Sequence, residues 1–164
     1  MRRVIGDVYA IQLPDNRVGF MQHLANDSSQ LGSNVVCVFR VIQAQDSPVD
    51  LAQIVQADIE FYAHVLLKAG ETLGIWNKVG RANKAHTSLP LWCKCIDSDR
   101  TIAESKNWKV WRTDGLLIPA VLDSRDFLEA EIGIVFSPLN IQARLINGQY
   151  PKVYPRKPQS TLNE

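Results

Sequence analysis

The stretch Val35-Val36-Cys37-Val38-Phe39-Arg40-Val41-Ile42 constrains this chain most. It is nearly continuous in apolar and β-branched side chains and too short for a helix of ordinary length. A run of that kind predicts a central strand. Ahead of it, Arg3 to Leu13 reads as a strand, Pro14-Asp15-Asn16 as a turn, and Val18 to Leu24 as the return strand. Gly19 inside that return strand marks a bulge or a close approach of another segment. The polar residues from Asn26 to Asn34 then form a loop.

Beyond the central strand the pattern changes. Ser47-Pro48 predicts a helix start, with Leu51, Ile54 and Val55 on one face. Asp58 to Leu67 fits a strand better than a continuation of that helix. Lys68 to Glu71 with Gly74 forms a turn, and Ile75 to Val79 returns. Pro90 places Leu89 to Ile96 at an edge or at its mouth. Trp108 to Arg112 alternates with period two, and Asp114-Gly115 signals a hairpin into Leu116 to Leu122. Ala130 to Phe136 is a further strand. Ser137-Pro138 and Asn147-Gly148 bracket a helix over 138–147. The sum is an α+β, mostly β fold: a twisted antiparallel sheet or partly open barrel of seven to nine strands with two short helices. Residues 1–150 read as one domain and 151–164 as an extended tail rich in proline and basic residues.

Charge bounds the function. Eighteen Lys and Arg against seventeen Asp and Glu leave +1, and 46% of the residues are hydrophobic. A folded chain is expected, since apolar content is high and net charge is near zero. A nucleic-acid coater is not expected, because phosphate contacts need a net basic face. The opening Met1-Arg2-Arg3-Val4-Ile5-Gly6-Asp7 lacks the apolar run of a secretory signal. No stretch reaches the ~20 apolar residues of a membrane helix. Three cysteines, Cys37, Cys93 and Cys95, fit reduced thiols and a cytoplasmic location.

Catalytic motifs are missing. There is no G-x-S-x-G, no S-x-x-K and no glycine-rich phosphate loop. His86 with Cys93 and Cys95 is the one cluster that invites a metal or a thiol nucleophile, but its Cys-x-Cys spacing is short for a structural zinc site. No metal or cofactor is expected. An enzyme or ligand-binding barrel using these three residues remains the alternative, and a nucleic-acid module using Lys78, Arg81 and Lys84 with Trp92 is a third. The charges are also unevenly placed. Apart from His86, Ile75 to Ile96 carries only the bases Lys78, Arg81, Lys84 and Lys94, whereas Asp97 to Glu131 has eight acids and five bases. Such polarity steers a charged partner.

Gly6-Asp7-Val8-Tyr9-Ala10-Ile11-Gln12-Leu13-Pro14-Asp15 with Val18-Gly19-Phe20, followed by the runs 35–42 and 59–66, Trp76-Asn77-Lys78-Val79-Gly80 and Leu89-Pro90, resembles the immunity protein 26 family of bacterial polymorphic toxin systems. The likeness spans roughly residues 4 to 96. It implies a cytoplasmic, non-enzymatic antidote that binds the C-terminal domain of a cognate toxin one to one, with neither nucleic acid nor membrane as partner. Gly6, Asp7, Gly19, Trp76, Gly80 and Pro90 would then be architectural. For the toxin-binding surface the expectation is Asp97, Asp99, Glu104 and Asp114 with Trp111, because an acidic patch would cover the active site of a basic nuclease.

Overall fold

A computed structural model describes residues 3–27, 31–83, 92–96, 108–113, 117–119 and 130–151. Its strands are β1 (Asp7–Leu13), β2 (Arg17–Asp27), β3 (Ser33–Ala44), β4 (Ile59–Val65), β5 (Trp76–Arg81), β6 (Trp92–Ile96), β7 (Trp108–Arg112), β8 (Leu117–Pro119), β9 (Glu131–Ile132) and β10 (Val135–Phe136). The helices are α1 (Leu51–Gln56), α2 (Leu67–Thr72) and α3 (Pro138–Asn147). The fold is mostly β and open. It holds a six-stranded sheet in the order β10-β4-β3-β2-β1-β5 and a four-stranded sheet in the order β8-β7-β6-β9.

The first hairpin forms where the turn residues put it. β1 and β2 pair antiparallel from Val8 opposite Gln22 to Leu13 opposite Arg17. Asp15 and Asn16 turn the chain with φ of 71° and 56°, a left-handed region that short polar side chains tolerate. β3 lies in the interior of the large sheet, and Val35 through Phe39 are all fully buried. One face packs Tyr9, Ile11, Met21, Val36, Val38 and Ala63 against Leu67 of α2 and against Ile141 and Leu145 of α3. The other packs Val8, Ala10, Phe20, Cys37 and Phe39 against Ile54 of α1. Cover on both faces explains why β3 reads as a run and not as an alternation.

Gly19 serves both expected purposes. The β2–β3 register shifts between Gly19 and Met21, and a Cβ on Gly19 would lie 2.2 Å from Leu145 Cδ2. The missing side chain therefore makes room for α3.

Several expectations need correction. The first helix starts at Leu51, not at Pro48, because Asp50 and not Ser47 caps it: the Asp50 carboxylate accepts the Gln53 N–H at 3.1 Å. Residues 68–71 form a helix where a turn was expected. Gly70 suggested a turn, yet it is a packing glycine, and a Cβ there would sit 1.9 Å from Trp76 Cε2. The true stop is Gly74, at φ 68°. The expected single strand over 130–136 is two short strands serving different sheets. β9 runs parallel to β6 with Glu131 opposite Cys93, and β10 runs parallel to β4 with Val135 opposite His64. The arrangement is thus mixed, not purely antiparallel. Gly133 lets the crossing segment pass beneath Trp111, since a Cβ there would lie 1.9 Å from the ring's Cη2. α3 matches its expected bounds, capped by Ser137 and ended by left-handed Gly148.

Candidate functional site

Polar side chains gather at two buried nodes. The first is built on Asp7, the first residue of β1, whose side chain is fully buried. Its carboxylate accepts the Val4 N–H at 2.9 Å and pairs with Lys78 Nζ at 2.7 Å and Arg81 Nε at 2.9 Å. Cross-strand pairing explains the convergence, since Asp7 lies opposite Arg81 and Tyr9 opposite Lys78, which puts all four on one face of the sheet. Burial pushes the Asp7 carboxyl upward, but the bonds from Lys78, Val4 and Arg81 outweigh it and hold the group below its ordinary value. Tyr9 beside it has a buried hydroxyl without a partner among the described residues, and burial aided by Glu71 and Asp7 pushes its pKa up to about 12. On the opposite face Gln22 donates to the Gly6 and Asn83 carbonyls, at 3.2 and 3.0 Å, and ties the ends of β1 and β5 together.

The second node joins the two sheets. His64 on β4 and Trp111 on β7 both donate to Asp27 Oδ2, from Nε2 at 3.1 Å and Nε1 at 3.4 Å. A carboxylate oxygen only accepts, so His64 carries its proton on Nε2. All three residues are 2% exposed or less. Burial lowers the His64 pKa below the usual imidazole value, although Asp27 and Glu131 pull it back in part. His23 lies nearby on β2 and shares Asn26 with Asn34, while Asn34 accepts the Leu67 N–H. This sealed His–Asp pair has the composition of a catalytic dyad without the access one requires.

The sequence-based candidates fare unevenly. Asp97, Asp99, Glu104, Asp114, Pro90, Lys84 and His86 lie outside the described residues. Trp111 is corrected: at 1% exposure it is a core residue and inter-sheet donor, not an exposed anchor. It is buried because it fills the space that Gly133 leaves. Cys93 is buried as well, opposite Trp111. Lys78 and Arg81, counted as free cations for a phosphate backbone, are committed to Asp7. The remaining motif residues have packing reasons. Gly6 adopts φ 92° with its Cβ position 2.8 Å from the Ala82 carbonyl oxygen. Gly80 gives way to Leu51, and Trp76 is buried with Nε1 donating to the Leu67 carbonyl at 2.9 Å.

From Val41 to Leu67 the chain has four acids, Asp46, Asp50, Asp58 and Glu60, and neither lysine nor arginine. There, α1 and β3 border a groove of about 530 Å³ lined by Val41, Gln43, Asp50, Gln53 and Ile54 among others. Its lining offers amides and one carboxylate, without a nucleophile–base pair.

No helix among the described residues is long and apolar enough to cross a membrane. No curated protein and no solved structure matches the chain. The profile of the family described as immunity protein 26 matches residues 4–101, which take in every element from β1 to β6. That is more than half of the sequence, and the chain belongs to the immunity protein 26 family.

Proposed function

We propose that this protein is a cytoplasmic antidote in bacterial competition, of the contact-dependent growth inhibition kind. It binds the C-terminal domain of its cognate toxin one to one and covers that domain's active site, with no chemistry of its own. The observation that carries this reading is the family match over residues 4–101. The two nodes support it, because the polar groups that elsewhere would suggest catalysis, Asp7, Asp27 and His64, are here buried and tied to partners on neighbouring strands.

The toxin is in this reading a basic nuclease. The acidic excess between Asp97 and Glu131, with Asp97, Asp99, Glu104 and Asp114 as its proposed contacts, would meet the surface that holds phosphate in the toxin. Trp111 is removed from that set by its burial. Variable surface charge suits an antidote, which must fit its own toxin and reject others.

Co-expression with the C-terminal domain encoded by the adjacent reading frame tests the proposal. The expected result is rescue of growth and a co-purifying one-to-one complex. A toxic domain that this protein neither binds nor neutralises sinks it.

A further inference from the structure

We infer that the outer edge of β5 is a strand-addition site, where an extended, acidic segment of the partner toxin pairs as a seventh strand. The inference rests on the antidote reading for the identity of the partner. Among the described residues β5 ends the six-stranded sheet and pairs with β1 alone. The opposite edge, β10, has two residues, and β8 at the edge of the small sheet has three. The six residues of β5 thus form the longest edge strand among the described residues, about 20 Å of backbone at the usual rise per residue.

The register says which groups face outward. Gln12 donates to the Ile75 carbonyl and Ala82 to the Gly6 carbonyl, which fixes Ala10–Asn77 and Val8–Gly80 as the hydrogen-bonded pairs. Lys78 and Arg81 fall at the alternate positions, so their backbone N–H and C=O groups point away from β1. Nothing among the described residues bonds them there.

Proteins commonly guard such an edge with charged side chains. Here the guard is drawn aside, because Asp7 pulls Lys78 and Arg81 back across β1. Two cations against one carboxylate leave a surplus positive charge, and Arg81 is 52% exposed. A second copy pairing on this edge would set like charges against each other. A strand with an acidic side chain opposite Arg81 would instead gain both backbone hydrogen bonds and a charge partner.

Residue-resolved hydrogen exchange on the full chain, alone and with the co-expressed toxin domain, tests this. The Lys78 and Arg81 amides should exchange freely in the isolated protein and slow by roughly 100-fold in the complex. Arg81→Gln, which leaves Lys78 on Asp7, should weaken binding about tenfold at low salt. A complex that forms while these amides remain fast overturns the edge proposal and leaves the antidote reading standing. Protection that rises with protein concentration in the absence of the toxin overturns it in favour of self-pairing. Absence of any complex removes both.

Discussion

Asp7→Asn keeps the shape of the side chain and an acceptor for the Val4 N–H, and removes the charge that Lys78 and Arg81 share. The two cations respond differently. Arg81 is half exposed and can turn to water, so its part of the loss is about 0–1 kcal/mol. Lys78 is 13% exposed, and stranding a mostly buried charge costs about 3–5 kcal/mol when it cannot escape. Its flexible stem lets the ammonium reach partly into solvent, which lowers that figure. The expected total is about 2–3 kcal/mol. With a urea slope of about 1–3 kcal/mol per molar, the unfolding midpoint should fall by about 1 M at pH 7, with the slope unchanged. Because the folded carboxyl titrates below its unfolded value of 3.8, its stabilising contribution is complete above that pH and is lost as pH falls through the folded value. The gap between wild type and variant should therefore close in acid. Adding Lys78→Met should restore part of the loss by removing the stranded charge. A midpoint shift under about 0.3 M, or a gap that persists in strong acid, would refute the buried-charge account.

His64 is held neutral by burial, so the unfolded chain takes up a proton below about pH 6.5 that the folded chain resists. Stability should therefore be full well above that pH and fall as the pH drops through it, while His64→Gln should flatten this part of the profile. Equal urea-midpoint slopes for the two proteins over that range would exclude His64 as the source. Gly70→Ala should lower the thermal midpoint even though alanine favours a helix by about 1 kcal/mol, because overpacking against the Trp76 ring costs about 1–3 kcal/mol. In a Trp76→Phe background the same alanine should be neutral or stabilising. A higher midpoint in the otherwise unchanged protein contradicts the packing role of Gly70.

Local rules made part of this fold legible. The Pro14-Asp15-Asn16 turn, the central apolar run at 35–42 and the Ser137-to-Gly148 helix each carry their own signal, in turn chemistry, periodicity or caps. What stayed hidden depends on distant partners. Gly70 looks like a turn residue until Trp76 is placed against it, and Gly133 looks unremarkable until Trp111 lies over it. The same holds for the candidate site. An Asp at the start of a strand is ordinary, and only the register of β5 against β1 reveals that it gathers two cations. His64 and Asp27 lie far apart in sequence, and no spacing rule connects them.

The segment from Glu131 to Leu145 sets a schedule for the molecule. β9 and β10 attach to different sheets, and α3 supplies Ile141 and Leu145 to the core formed by β1 to β4. Residues 4–101, which carry the family likeness, therefore leave the ribosome with one face of their main sheet covered by Leu67 and Trp76 but not yet by Ile141 and Leu145. At the usual 5–20 residues per second, roughly 2–9 seconds pass between synthesis of that region and of the helix that covers it. During that interval the growing chain is open to premature strand pairing and to proteolysis. Completion of α3 is thus the step that closes this face, and a chain stalled short of Leu145 would leave that part of its core open.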